Sequence, residues 1–330
     1  MDIPLKLAST LSDRTRPIVE GRIAVPGCRF EVTLGEPEAI FRQALREKTF
    51  DVTELSMGSH IVTTARGDSA YIGVPVFLSR AFRHSGIFIR TDRGISSLAD
   101  LKGRRVGLPE YQQTAAMWVR GIMKDQHGVD ARDVEWVTGS QEVAGGTERV
   151  ALKLPPDIRV SPIGPEETLN GLLVDGAIDA LITPRPPSSF LERSAPVDRL
   201  FPDFRAAETA WYKTTGFFPI MHCLAVRRDV AAAHPWLPKA LFEAFAHAKA
   251  EAIEDLSRGN FLRVALPWVV DHLAETRAVM GANVWPYGVP LNRAEIAAMT
   301  RFAATDGLAT RQVAVEDLFH ETTLELADLG

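Results

Sequence analysis

Cysteine is nearly absent: the chain of 330 residues has two, Cys28 and Cys223. Two thiols so far apart have no zinc-ligand spacing and make no disulfide framework, which excludes the small stapled secreted folds and fits a reducing compartment. No apolar run is long enough to span a bilayer. Positive charge is not in excess either, and a net charge of −5 provides no global field to hold nucleic acid or an anionic membrane. Walker and GxGxxG patterns are missing, which argues against a nucleotide-dependent enzyme, and HExxH and GxSxG are missing too. His60, His84 and His222 show no metal-ligand spacing, so no metal is expected. The opening MDIPLKLASTLSDRTRP lacks a basic leader followed by an apolar stretch, and the expectation is a cytoplasmic protein.

What is present reads as an ordinary globular chain, with 46% hydrophobic and 24% charged residues. Its length exceeds what one hydrophobic core usually serves, so two lobes are expected. PLKLAST (4–10) reads as a strand, PEAIFRQALREKTF (37–50) as a helix opened by proline, and FDVTELS (50–56) as a strand. This is βαβ grammar, the mark of a mostly parallel sheet. A fresh start follows near residue 104. RRVGLP reads as a strand, and 114–128 as a helix with Ala115, Trp118, Val119, Ile122 and Met123 on one face and Gly128 as its stop. ALREKTFDVTELS (44–56) and LLVDGAIDALITP (172–184) echo one another as helix end, turn and buried strand.

After a Pro-rich excursion, GFFPIMHCLAVRRDV (216–230) is strand-like again, and the chain is helical from about 235. Two apolar strands, near 85–90 and 218–226, therefore bracket an inserted unit and suggest a two-stranded hinge. The expected division is a first lobe of residues 1–92 and 218–330 and a second of 93–217, with a ligand cleft between them.

Polar residues collect at the ends of the expected strands. Arg14 and Arg16 follow the first, Ser56, Ser59 and His60 the third, and Arg80, Arg83 and His84 lie between two apolar runs. Tyr111, Gln112, Gln113 and Thr114 sit at a helix start, Arg185 ends a strand, and His222 lies within the returning one. In open α/β sheets the crevice at the carboxyl ends of strands is the usual ligand site. Guanidinium forks and a helix N-terminus favour a carboxylate or phosphate there, so the expected ligand is an anion. Arg104 and Arg105 read as a solvated turn.

LSDRTRP, FDVTELSMGSH, SRAFRHSGIFI, DLKGRRVGLPEYQQTAAMWVRG, TGFFPIMH and WPYGVPLNR, in that order along nearly the whole chain, resemble the 4,5-dihydroxyphthalate decarboxylase family. The resemblance implies a two-lobed α/β fold of the type II periplasmic-binding-protein kind, each lobe a mixed, mostly parallel sheet flanked by helices. It also implies decarboxylation of an aromatic dicarboxylate to protocatechuate and CO2 without an organic cofactor, and it favours a homo-oligomer. Residues 139–160 carry no motif that anchors the resemblance. The chemistry asks for a proton donor at the ring carbon, an acceptor at the phenol and cations at the carboxylates. His84 is the first choice for the donor and His222 the second, with Glu54 or Glu110 as the acceptor. Arg14, Ser56, His60, Arg80, Arg83, Tyr111, Gln112, Thr114 and Arg185 are the expected substrate-binding residues. A non-catalytic solute-binding protein for a carboxylate is the main rival. An enzyme of the same fold with another substrate and a ligand-sensing domain come after it.

Overall fold

Alternation of Val, Ile, Leu and Phe with short polar turns produces eleven strands among residues 2–328, the part of the chain that the computed structural model describes. They form two sheets. The first contains β1 (Ile3–Ser9), β2 (Cys28–Leu34), β3 (Val52–Ser56), β4 (Tyr71–Arg80) and β11 (Ile220–Arg227), in the order β2-β1-β3-β11-β4. The second contains β5 (Ile87–Arg90), β6 (Arg105–Leu108), β7 (Glu135–Thr138), β8 (Arg159–Pro162), β9 (Ala180–Ile182) and β10 (Val197–Arg199), in the order β10-β5-β9-β6-β7-β8. In each sheet every strand but one runs the same way, so the pairs divide into two parallel and two antiparallel in the first sheet and three parallel and two antiparallel in the second. The antiparallel intruder is β11 in the first sheet and β5 in the second. The faint echo has a structural counterpart, because its strands, β3 and β9, occupy matching places, each between a parallel neighbour and the antiparallel intruder.

The chain leaves the first sheet after β4 and re-enters it at β11, and the two crossings run side by side, with the Ala81 amide donating to the Pro219 carbonyl at 3.0 Å. Residues 87–90, assigned from sequence to the first lobe, instead pair with β9 and β10 of the second sheet. A short apolar run does not say which sheet it will join. We accordingly place the division between the lobes at the crossings, near 81–86 and 216–219, rather than at 92 and 217.

The helix Thr114–His127 forms where its periodicity predicts, ending at Gly128 with φ 65°. It packs between the lobes. Trp118 on one side meets Trp211, Phe217 and Phe302 edge-on, and the last of these belongs to the helix Val289–Thr305. One hydrophobic cluster accordingly runs from Val76 and Leu78 of the first sheet through Trp118 to Val106 of the second.

The seam is also closed by polar contacts. The hydroxyls of Ser56 and Thr114 lie 3.0 Å apart, the Gly58 amide donates to Thr114 Oγ1 at 2.9 Å, and Ser59 Oγ donates to Gln112 Oε1 at 2.8 Å. A side chain at Gly58 would place its Cβ 2.6 Å from the Gln112 carbonyl oxygen, a backbone atom. Overpacking of this kind costs about 1–3 kcal/mol, more than the gain of about 1 kcal/mol that alanine brings to a helix interior. Gly58→Ala is therefore expected to lower the free energy of unfolding in urea, and an unchanged or raised value would refute the tight seam.

Candidate active site

The carboxyl ends of β1, β3 and β4 and the start of β11 meet on the face turned toward the second lobe. Register sets His222 between Ser56 of β3 and Ser79 of β4, and the pairing of β11 with β4 slips on both sides of His222. A bulge of this kind re-aims a side chain. Glu54, two residues before Ser56 on the same face of β3, is completely buried.

A buried carboxylate needs partners. Glu54 Oε2 accepts from the Thr10 amide and the Thr10 hydroxyl, both at 2.8 Å, and Glu54 Oε1 lies 2.6 Å from His222 Nδ1. Burial alone would push the carboxyl up, but the hydrogen bond and charge of His222, with the Thr10 bonds, outweigh it and hold Glu54 below its ordinary value. An ionised Glu54 assigns the proton to Nδ1, which donates, and leaves Nε2 for the cleft. Phe41 fixes the ring from the side, edge-on at 4.8 Å.

His222 forms the wall between two cavities. One of about 280 Å³ is lined by Ser56, Ser79, Arg83, Thr114 and Arg149; the other, of about 500 Å³, by Thr10, Ser12, Arg14, Glu36 and Glu54. In the first, Arg83 donates from Nε to the Met221 sulfur at 3.1 Å and has no carboxylate within ion-pair distance among the described residues. Burial pulls this guanidinium down to about 10 against the attraction of Glu208, so it is still a cation at neutral pH. Opposite it, Arg149 Nη2 meets Glu110 Oε2 at 2.8 Å and its guanidinium lies 5.2 Å over the Phe41 ring. Gln113 and Thr114 bring the positive end of a helix of 14 residues to the same wall. An anion placed here meets the guanidinium groups of Arg83 and Arg149, a helix N-terminus and an imidazole, with Arg185 and Glu38 also on the lining.

Of the expected residues, His222, Glu54, Ser56, Arg83 and Thr114 share this region. Arg14 lines the larger cavity, paired with Asp13 at 2.6 Å and stacked 4.0 Å over Trp285. Arg185 stands at the exposed mouth, 3.4 Å from both Glu36 and Glu38. Glu110 lines an outer cavity of about 440 Å³.

Others belong elsewhere. His84 is buried among aromatic rings, edge-on to Phe201 and Trp211, and lines neither cavity that meets at His222. Burial brings it down to about 4, with His127 adding to the effect, so it is neutral at pH 7. His60 is wholly buried with Nε2 2.7 Å from the Leu318 carbonyl, and burial brings it to about 4 as well. Arg80 is spent on Glu295 at 3.2 Å, on the carbonyls of Phe218 and Pro286, and on Asn292. Tyr111 turns its hydroxyl inward to the Asp306 carbonyl at 3.1 Å, and Gln112 serves the seam. Among the described residues no three His, Cys, Asp or Glu side chains group as metal ligands. Sequence reasoning missed Arg149. It follows the glycines of GGTER in a stretch without periodicity, and nothing local distinguishes it from a surface arginine.

The arrangement defines a class before a family: a two-lobed α/β protein of the periplasmic-binding-protein kind with a hydrogen-bonded glutamate–histidine pair at its cleft. Residues 73–147 match the family described as NMT1/THI5 like. The chain is 43% identical over 326 residues to the 4,5-dihydroxyphthalate decarboxylase of Comamonas testosteroni, covering 98% of each. It is 47% identical over 204 residues to the protein of the same name from Pseudomonas putida, covering 62% of this chain and 79% of that one. Among solved structures it resembles the alkanesulfonate-binding protein SsuA from Xanthomonas axonopodis pv. citri bound to MOPS, with a TM-score of 0.54 at 15% identity and 97% and 99% coverage. That likeness shows the fold. The chain belongs to the 4,5-dihydroxyphthalate decarboxylase family. Among the described residues, no helix is long and apolar enough to cross a membrane.

The two buried histidines make stability depend on pH. Both are neutral in the fold, with values near 4 against 6.5 when unfolded, so between those values the unfolded chain binds more protons. Stability is full above pH 6.5 and declines as pH falls toward 4, by up to about 3 kcal/mol for each histidine. Urea unfolding across this range is expected to show the decline, and His84→Phe to make it shallower. A decline equally steep in that variant would contradict the placement of His84.

Proposed function

We propose that this protein is a carboxy-lyase that converts 4,5-dihydroxyphthalate to protocatechuate and CO2 with its own side chains and no organic cofactor. The observation that carries the reading is the buried Glu54–His222 pair opening into the cavity that also holds Arg83 without a carboxylate partner. The family relatives supply the substrate. A dianionic ring fits the two guanidinium groups, and a general acid is the other thing such a substrate needs.

The ring determines the steps. Each carboxylate is para to a hydroxyl, so electron density released by the phenol as its proton passes to solvent in the open cleft reaches the carbon that bears the carboxylate. That carbon takes a proton from His222 Nε2, giving a dienone with a tetrahedral carbon that holds both hydrogen and carboxylate. The C–C bond then breaks and CO2 departs; the electron pair restores the aromatic ring as the phenolate, whose oxygen takes back a proton from solvent. Hydrogen has replaced carboxylate, so one proton is consumed per turnover and His222 recovers its own from the open cleft. Glu54 does not touch the ring. It acts through His222, holding the tautomer and offsetting the charge of the imidazolium. We assign the proton-donor role to His222 rather than His84 on this geometry, and Glu54 becomes a positioning residue instead of the phenol acceptor. Both cysteines are free, which supports a cytoplasmic location.

Purified protein is expected to release CO2 from 4,5-dihydroxyphthalate. General acid catalysis contributes roughly 10²–10⁴-fold, so His222→Ala should lower kcat by that range while His84→Phe keeps it within a few-fold. Binding without CO2 release would point to a solute-binding protein, and the reverse response of the two histidine variants would remove His222 from the chemistry.

A further inference from the structure

Protocatechuate still has a carboxylate para to a hydroxyl, so the electronics that expel the first CO2 would serve equally for a second. Ring chemistry cannot tell diacid from monoacid, and the protein has to do so by where it holds the carboxylate that stays. Resting on the decarboxylase reading, we propose that Arg149 is the seat of that second carboxylate and the determinant of diacid over monoacid recognition.

Three features support this. Phe41 places Arg149 and His222 on one wall, its ring 4.8 Å from the imidazole and 5.2 Å from the guanidinium. A ring with adjacent carboxylates bridges the two, one group on Arg149 and the carbon bearing the other at His222 Nε2. A monoacid that gives its only carboxylate to Arg149 brings a carbon without a leaving group to His222. Glu110 meets Nη2 at 2.8 Å, and the guanidinium makes no ion pair with any other carboxylate among the described residues. The backbone beneath is gripped from the first lobe, where Arg46 donates to the carbonyls of Glu148 and Arg149 at 3.3 and 3.4 Å, and Arg66 to that of Ala151 at 3.0 Å. Val150 between them is buried. An arginine on so fixed a backbone is preorganised for two-bond recognition of a carboxylate.

Arg83 is the competing seat, and calorimetric binding of two unreactive probes, phthalate and benzoate, separates them. The wild type is expected to prefer phthalate by at least tenfold. A charge-assisted pair lost from a desolvated site weakens binding roughly 10- to 100-fold, so Arg149→Gln should weaken phthalate by that amount, leave benzoate nearer its original affinity and erase most of the preference. Arg149→Lys, which keeps the charge and loses the fork, should fall between the two. Glu110→Gln tests whether the effect is merely a broken ion pair: it should retain the preference, whereas a structural role for Arg149 predicts that it copies Arg149→Gln. A preference that survives Arg149→Gln, or that vanishes in Arg83→Gln instead, overturns the proposal. CO2 release from 4,5-dihydroxyphthalate is read separately. A wild type that prefers phthalate yet shows no turnover refutes the decarboxylase reading and leaves the Arg149 seat supported.

Discussion

The buried pair of Arg80 and Glu295 sets the geometry of everything around it. Both side chains are almost wholly out of water, and each also holds backbone of the returning chain. Arg80 donates to the Phe218 carbonyl at 2.6 Å, and Glu295 accepts from the Ile220 amide at 2.7 Å. Trp118, from the helix of the second lobe, donates to the Ile220 carbonyl at 3.0 Å. Residues 218–220 are therefore fixed from the first sheet, the second lobe and a C-terminal helix, two positions before His222. A buried ion pair is weak evidence for stability because desolvation opposes its attraction. Its contribution here is positional: it fixes where β11 begins, and so where the imidazole stands between Ser56 and Ser79.

The same logic continues inward. β11 inserts antiparallel between two parallel strands, and β5 does so in the other sheet, because each is the strand that has just crossed from the opposite lobe. A returning strand begins where its parallel neighbours end, so its first residues lie at the crevice where open α/β sheets bind ligands. His222 stands at that crevice because it lies near the start of the crossing strand. Glu54 is anchored by Thr10 at the end of β1, so three strands of the first sheet contribute to one imidazole, while Arg83 comes from the crossing and Arg149 from the second lobe.

The fold was readable because its signals are local. Proline at a helix start, an apolar face at helical spacing and glycine at a helix stop each depend on a few neighbouring residues, and the helix Thr114–His127 formed as they require. The site was readable only as a set of candidates. Arg80 and Arg83 are three residues apart, yet one is consumed by a carboxylate 215 positions away and the other faces an open cavity. His84 gains its aromatic surroundings from Phe201 and Trp211, more than a hundred residues downstream. The pattern of a segment tells that a polar side chain is unusual there, and the rest of the chain decides whether that side chain is satisfied internally or left for a ligand. Arg149 failed both ways, being unusual neither in its segment nor in its spacing.

The energies rank the ways into the cleft. Separating the lobes at the seam would expose the cluster in which Trp118, Trp211, Phe217 and Phe302 interlock, and full burial of one such side chain is worth about 1.5–3 kcal/mol. The Ser56–Thr114 and Ser59–Gln112 contacts would be lost with it. At the mouth, by contrast, Arg185 meets Glu36 and Glu38 in open solvent, where an ion pair contributes about 0–1 kcal/mol. The rim is the cheaper gate by several-fold. A ligand that passes by the rim enters and leaves while the Glu54–His222 pair and its supports stay in place.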